Sequence, residues 1–169
     1  MLEDGSVYEG TARGDFKETA CEIVFNTSMT GYVEILTDPS YAGQGVVMTY
    51  PMIGNYGISR EDFESERLQP SAFIVHELSS DPSNFRCTDT IENLLKEYNI
   101  PCISGVDTRA VVKKLRESGT MRGVLTSDIG DRARLMDVSK AVRQIDLVGS
   151  VTAKQTKVYG EENTGAEIA

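Results

Sequence analysis

Short apolar runs separated by turn-forming residues are the feature of this sequence that most constrains its fold. Such runs, rich in β-branched and aromatic residues, are typical of buried strands. They lie at Cys21–Asn26, Gly31–Leu36, Gly45–Tyr50, Ala72–Glu77, Cys102–Ile103 and Val124–Thr126. In addition, Asp4-Gly5 predicts a hairpin turn, and the turn formers from Thr37 to Gly43 predict a tight loop.

Three segments have the apolar spacing of amphipathic helices. The first opens at the capping-box spacing of Asp89–Glu92 and runs to about Tyr98. The second is capped by Asp107 or Thr108 and ends at Gly119, and the third covers Ala133–Ile145. We see no regular βαβ alternation, so the pattern predicts a layered, mixed α/β fold with a β-rich first half and helices covering one side.

The length and composition suit a single globular domain. The chain has 169 residues, of which 40% are hydrophobic and 25% charged, enough for a packed core. We place the domain at residues 1–150 and interpret the polar residues 151–169 as a linker or tail. No apolar run is long enough for a transmembrane helix, and the acidic N-terminus is unlike a signal peptide, so we expect a cytoplasmic protein without a membrane partner.

The charge distribution limits the possible partners. A net charge of -9 repels phosphate backbones, so we expect no nucleic-acid partner. The stretch from Arg109 to Arg143 is nevertheless locally basic. It is either a solvated helix face or a docking face for an acidic partner surface.

The sequence offers no recognisable catalytic centre. Cys21, Cys87 and Cys102 lack the flanking small residues of a nucleophile turn, and His76 lies inside a strand-like run. No phosphate-binding loop and no metal-ligand spacing is present, so we expect neither a cofactor nor a metal in this chain. Asp107, Arg109 and Arg116 are either an ionic site or a helix cap beside exposed charges.

Several long blocks carry a family resemblance. They are VFNTSMTGY, EILTDPSYAGQ and TYPMIGNYG within residues 21–57, SNFR at Ser83–Arg86, GVDTRAVVKKLRESGTMRG at Gly105–Gly123, and DLVGSVT at Asp146–Thr152. In this order they resemble the N-terminal domain of the small subunit of carbamoyl-phosphate synthetase. The resemblance covers nearly the whole of this chain, through about residue 152.

The resemblance implies a non-catalytic domain of a larger enzyme. In that family the N-terminal domain is a three-layer β/β/α domain of the swivelling type, followed by a glutamine amidotransferase domain. The expected partners are that domain, the large synthetase subunit of the heterodimer, and glutamine. The whole ligase makes carbamoyl phosphate from bicarbonate, glutamine and ATP for pyrimidine and arginine synthesis, with ATP and magnesium expected on the large subunit.

One ligand contact follows from the resemblance. The serine of the family's TDPSY motif approaches bound glutamine, and in this sequence it is Ser40. A hydroxyl suits this role because it both donates and accepts hydrogen bonds. The alternative is that Ser40 only stabilises its own turn.

Two other functions stay open at this point. The chain could be a stand-alone binding module that kept the fold without enzyme activity, or a small hydrolase that uses one of its cysteines. The continuation of the gene beyond Ala169 separates the first from a domain of a synthetase, and thiol alkylation tests the second.

Overall fold

The structure is a computed structural model that describes residues 1–142 and 147–156. Within these ranges the strands are β1 (Thr11–Arg13), β2 (Thr19–Asn26), β3 (Gln44–Met48), β4 (Met52–Ile53), β5 (Ala72–Ile74), β6 (Glu77–Leu78), β7 (Cys102–Ser104) and β8 (Met121–Leu125). The helices are α1 (Tyr32–Thr37), α2 (Ile91–Glu97), α3 (Thr108–Ser118), α4 (Arg132–Lys140) and α5 (Leu147–Val151). Single 3₁₀ turns occupy Pro39–Tyr41 and Arg60–Asp62.

A mixed sheet of six strands organises the domain. Its order is β1-β7-β5-β3-β2-β8, while β4 and β6 pair in a separate small sheet. The four inner strands are parallel, and the two edge strands are antiparallel to their neighbours. Parallel neighbours need a crossover connection, and these contain α1 between β2 and β3 and α2 between β5 and β7. The fold thus contains two helical crossovers that the sequence analysis did not anticipate, although the βαβ alternation is not regular along the chain.

The crossover between β2 and β3 was not anticipated because we predicted the segment Gly31–Leu36 as a strand. It forms helix α1, which buries Tyr32, Val33 and Leu36 against the sheet. β-branched residues only weakly favour strands, and burial of one helical face overrides that preference. The predicted strands at Cys21–Asn26 and Gly45–Tyr50 are confirmed as β2 and β3, with small shifts at their ends.

The sheet is covered on both faces, as the alternation of its buried side chains shows. Val46, Met48 and Phe73 pack with α1, α2 and the small sheet, which we term the α1 face. Ile23, Val47 and Ile74 pack with α3 and the N-terminal Leu2, which we term the α3 face. The layered α/β class is confirmed, but the helices lie on both sides of the sheet rather than on one.

The predicted helix ends agree with the structure only in part. Asp107 is the N-cap of α3, since its side chain accepts a hydrogen bond from the Ala110 amide at 3.0 Å. For α2 the N-cap is Thr90 rather than Asp89, and its hydroxyl accepts from the Asn93 amide at 3.2 Å. α4 begins as expected but ends at Lys140, and the predicted end at Ile145 lies outside the described residues.

Both ends of the chain add detail to the predicted organisation. The predicted turn at Asp4-Gly5 forms, with the Leu2 amide donating to the Ser6 carbonyl at 2.8 Å, and Leu2 also bridges to Gly123. Helix α5 spans the predicted boundary at residue 150, and most of the predicted tail lies outside the described residues, so the division into 1–150 and 151–169 stays a prediction. None of the described helices is long and apolar enough to cross a bilayer.

Tyr32, the first residue of α1, and Tyr56, from a distant loop, fix the start of this helix. Gly31 precedes the helix with a positive φ of 80° and supplies no side-chain cap. The hydroxyl of Tyr56 accepts hydrogen bonds from the amides of Gly31 (2.7 Å) and Tyr32 (3.2 Å) instead. In return, the buried Tyr32 hydroxyl donates to the Gly57 carbonyl at 2.7 Å, and the two rings stack with their centroids 4.2 Å apart.

Removal of the Tyr56 hydroxyl tests this reciprocal arrangement. We expect Tyr56→Phe to lower the free energy of unfolding by about 1–3 kcal/mol, because two amides lose their acceptor while the ring stacking is kept. Chemical denaturation measures this difference. Tyr8→Phe is the matched control, since no hydrogen bond of the Tyr8 hydroxyl is present within the described residues. Equal stability of the two variants would contradict the capping role.

Candidate functional site

Ser40 lies in a short 3₁₀ turn directly after α1. The Asp38 side chain caps this turn by accepting a hydrogen bond from the Ser40 amide at 2.8 Å. Pro39 occupies the first position of the turn, where its fixed φ suits the geometry. The Asn26 side chain, at the end of β2, donates to the Tyr41 hydroxyl at 2.9 Å and ties the turn to the sheet.

A second set of bonds holds the turn from the other side. The buried Thr37 hydroxyl donates to the Val33 carbonyl at 2.8 Å and accepts from the Glu64 amide at 2.9 Å. The Thr37 carbonyl accepts from the Ser65 hydroxyl at 2.5 Å. The start of the Ser40 turn is therefore fixed to the loop that contains residues 64 and 65. The sequence analysis missed Thr37, because a threonine before Asp-Pro is expected in an exposed turn.

The Ser40 side chain itself is free to meet a ligand. Ser40 is exposed, and its hydroxyl has no hydrogen-bond partner among the residues that the structure describes. The turn is stabilised through the Ser40 amide and the Asp38 carboxylate, not through the Ser40 hydroxyl. Ser40 thus contributes to its own turn through its amide, and the glutamine contact of its hydroxyl stays a prediction.

Two of the three cysteines are poorly suited to nucleophilic chemistry. Burial raises the pKa of the Cys21 thiol and of the Cys102 thiol to about 12, so both are protonated at neutral pH. Cys87 is half-buried, and its Sγ lies 3.3 Å from the Asp89 carbonyl oxygen. The only histidine, His76, is exposed, and its Nδ1 lies 3.1 Å from the Val106 carbonyl oxygen. No cysteine is hydrogen-bonded to this histidine in the described part of the chain.

Thiol labelling of the native protein tests these environments. We expect a thiol reagent at mildly alkaline pH to modify Cys87 first and to reach Cys21 and Cys102 only on unfolding, because the last two are buried and protonated. Mass spectrometry of digested samples locates the label. A Cys87→Ser variant is the control, and we expect it to be labelled only slowly as long as it remains folded. Rapid modification of Cys21 or Cys102 in the folded protein would instead favour the hypothesis of a small hydrolase that uses one of these cysteines.

The ionic cluster and the basic stretch considered from the sequence separate in the structure. Asp107 is a helix cap, whereas Arg109 and Arg116 line a cleft beside α3. Lys114 pairs with Asp4 at 2.7 Å, and Arg134 pairs with Glu18 at 2.8 Å. The pKa of the Glu18 carboxyl is lowered to about 2, mainly because this carboxylate accepts hydrogen bonds from the Arg134 guanidinium. Two cations of the basic stretch are therefore paired within the domain, and the docking role of the stretch stays a prediction. Within the described residues no group of His, Cys, Asp and Glu side chains could hold a metal ion.

An exposed phenylalanine is a second feature that the sequence analysis missed. Phe85 is 98% exposed, although its loop is well anchored. The neighbouring Arg86 guanidinium donates to Asp62 at 2.7 Å and to Glu61 at 3.1 Å, and the Ser83 amide donates to the Asn55 carbonyl at 2.9 Å. A single exposed apolar side chain is common on protein surfaces, but an aromatic one on an anchored loop has the form of a binding hot spot. The sequence signal that could have identified Phe85 is a single aromatic residue inside a polar turn.

Comparison with known proteins identifies the family. The sequence profile described as "Carbamoyl-phosphate synthase small chain, CPSase domain" matches residues 1–125. The chain belongs to the carbamoyl-phosphate synthase small chain family. This confirms the family resemblance that we derived from the sequence blocks.

The relatives within this family are similar over nearly the whole chain. The carbamoyl phosphate synthase small chain of Caldanaerobacter subterraneus is 55% identical over 168 residues, which are 99% of this chain and 45% of that protein. Those of Archaeoglobus fulgidus and Chlorobaculum tepidum are 51% and 49% identical, over 94% and 99% of this chain and 45% and 46% of their own lengths. The chain thus spans about half the length of these relatives.

Membership of the carbamoyl-phosphate synthase small chain family gives the sequence blocks a structural meaning. The block VFNTSMTGY supplies Tyr32 and the block TYPMIGNYG supplies Tyr56, so these two blocks meet in the tyrosine pair. The block EILTDPSYAGQ forms the end of α1 and the Ser40 turn. SNFR carries the exposed Phe85 and the anchoring Arg86.

Proposed function

We propose that this chain is the non-catalytic N-terminal domain of the small subunit of a glutamine-hydrolysing carbamoyl-phosphate synthase. In this role it docks the large synthetase subunit, packs on the amidotransferase domain of its own subunit, and supports glutamine binding and ammonia transfer. The parent enzyme is a ligase that serves pyrimidine and arginine synthesis. Catalysis takes place outside this domain, in keeping with the buried, protonated thiols of Cys21 and Cys102.

The observation that carries the docking proposal is the exposure of Phe85. Leaving a phenylalanine in water forgoes about 1.5–3 kcal/mol of hydrophobic stabilisation that a partner surface can supply. Because Arg86 and Ser83 anchor the loop, little conformational entropy is lost when Phe85 is buried by a partner. We assign the large synthetase subunit as that partner, because membership of the small chain family implies a large synthetase subunit in the same enzyme.

Truncation of Phe85 tests the docking role. We expect Phe85→Ala in the intact small subunit to weaken association with the large subunit at least about tenfold, as for a buried aromatic anchor. Analytical ultracentrifugation or surface plasmon resonance measures this change.

Two controls separate docking from folding at Phe85. Phe85→Leu should keep most of the affinity, because it retains an apolar side chain. The melting temperature should not fall in Phe85→Ala, since the side chain is 98% exposed. Unchanged association of Phe85→Ala would mean that this loop lies outside the interface.

The proposed role of Ser40 is to contact glutamine held by the amidotransferase domain. Its exposed hydroxyl has no partner in the described residues, and its turn is held by Asp38 and by the Asn26–Tyr41 hydrogen bond. A fixed turn presents the hydroxyl in one position, so little ordering is needed when the substrate binds. One hydrogen bond to a polar substrate group contributes about 0.5–1.5 kcal/mol.

Substitution of Ser40 tests this contact. We expect Ser40→Ala in the intact subunit to raise the KM for glutamine by about two- to tenfold with little change in kcat, because one ground-state hydrogen bond is lost. Steady-state glutaminase assays measure both constants. Ser80→Ala, also an exposed serine, is the matched control and should leave KM unchanged. A wild-type KM in Ser40→Ala would remove Ser40 from the glutamine site.

A further inference from the structure

A cleft beside helix α3 is separate from the Ser40 turn and from the Phe85 loop. We term it the basic cleft. It encloses about 570 Å³ and is lined by Thr27, Thr49, Tyr50, Pro51, Arg109, Val112, Lys113, Arg116 and Glu117. A cleft of this size falls in the range that holds small molecules in proteins.

The floor of the basic cleft is formed where two parallel strands end. Thr27 follows the last residue of β2, and Thr49 follows the last residue of β3. The two strands stay in register to their ends, where Asn26 pairs with Met48. The Thr49 amide and hydroxyl then both donate to the Asn26 carbonyl at 3.0 Å. In open α/β sheets, ligands commonly bind outside the carboxyl ends of parallel strands.

The wall of the basic cleft is one face of α3. Arg109, Lys113 and Arg116 recur every three or four residues, so they share this face of the helix. Val112, on the same side, is buried in the core and keeps the helix against the sheet. The Arg116 guanidinium also lies over the Phe25 ring, 5.5 Å from its centroid.

These three cations have no ion-pair partner within residues 1–142 and 147–156. Lys114, the next residue on the helix, contrasts with them because it pairs with Asp4. Three cations and the single carboxylate of Glu117 leave a formal charge of +2 around the basic cleft, in a chain whose net charge is -9. Positive charge concentrated in a concave site attracts small anions.

The charge and the donor groups of the basic cleft fit a phosphate ester. A phosphate monoester carries close to two negative charges at neutral pH and has three strongly accepting oxygens. Guanidinium groups can donate two parallel hydrogen bonds to such an anion. The hydroxyls of Thr27 and Tyr50 have no hydrogen-bond partner in the described residues and can bind the uncharged part of the molecule.

We propose that the basic cleft is a binding site for a small molecule that carries a phosphate monoester. Arg109, Lys113 and Arg116 bind the phosphate, and the threonines and Tyr50 at the strand ends contact the remainder of the ligand. This site goes beyond the proposed docking and glutamine-contact functions, and it uses neither Ser40 nor Phe85.

Titration of the full chain with inorganic phosphate tests the proposal. Amide chemical shifts are followed by NMR at constant ionic strength, which is held with sodium chloride. We expect saturable shifts confined to residues around Thr27 and Thr49 and to α3 from Arg109 to Arg116. Arg109→Gln and Lys113→Gln should each weaken phosphate binding about tenfold, since each removes one charge-assisted interaction. Lys17→Gln, which removes an exposed positive charge outside the basic cleft, should not change it.

Three results would overturn the proposal. The first is a linear, non-saturating response to phosphate, or an equal loss of binding in Lys17→Gln, which would indicate general screening. The second is saturable binding of succinate but not of phosphate, which would indicate a dicarboxylate site. The third is that Lys113→Gln leaves phosphate binding intact but weakens association with the large subunit, which would indicate docking of an acidic protein surface. Lys113 is exposed, so its variant keeps the test valid if Arg109→Gln fails to fold.

Discussion

The reciprocal contact between Tyr32 and Tyr56 is the interaction on which the rest of the α1 face depends. Helix α1 is only six residues long and begins at a glycine that offers no side-chain cap. A helix this short does not form by itself in water, so its amides need acceptors from elsewhere. Tyr56 supplies that acceptor from 25 positions further along the chain. Burial raises the pKa of both tyrosines, and for Tyr32 this keeps the hydroxyl protonated so that it can donate to the Gly57 carbonyl.

The Ser40 turn depends on this helix at its other end. Thr37 closes α1 through its bond to the Val33 carbonyl and at the same time receives the Glu64 amide. Asp38 then begins the next turn without an intervening flexible residue. The order of dependence runs from the tyrosine pair to the helix, from the helix to Thr37, and from Thr37 to the turn. A ligand contact at Ser40 would therefore be placed by a packed core rather than by a mobile loop.

Sequence reasoning succeeded where local residues decide the structure. The strands β2 and β3, the Asp107 cap of α3 and the turn around Pro39 each follow from a few neighbouring side chains. It failed at Gly31–Leu36, because the acceptor that starts α1 comes from a distant loop and no window around Gly31 contains it. With α1 mistaken for a strand, the parallel crossover from β2 to β3 was missed as well, and the helices were assigned to one side of the sheet. The family resemblance supplied Ser40, which residue patterns alone did not single out.

The charges of α3 show why a site can be hidden in a correctly predicted segment. Lys113 and Lys114 are adjacent and chemically identical, and a count of charges along the sequence treats them alike. A helix turns by about 100° per residue, so the two side chains point in different directions. Lys114 meets Asp4 from the N-terminal turn, whereas Lys113 joins Arg109 and Arg116 above the ends of β2 and β3. The cations of α3 therefore divide into one that is held in a partly exposed ion pair with the N-terminal turn and three that line the basic cleft, and only the latter are available to a ligand.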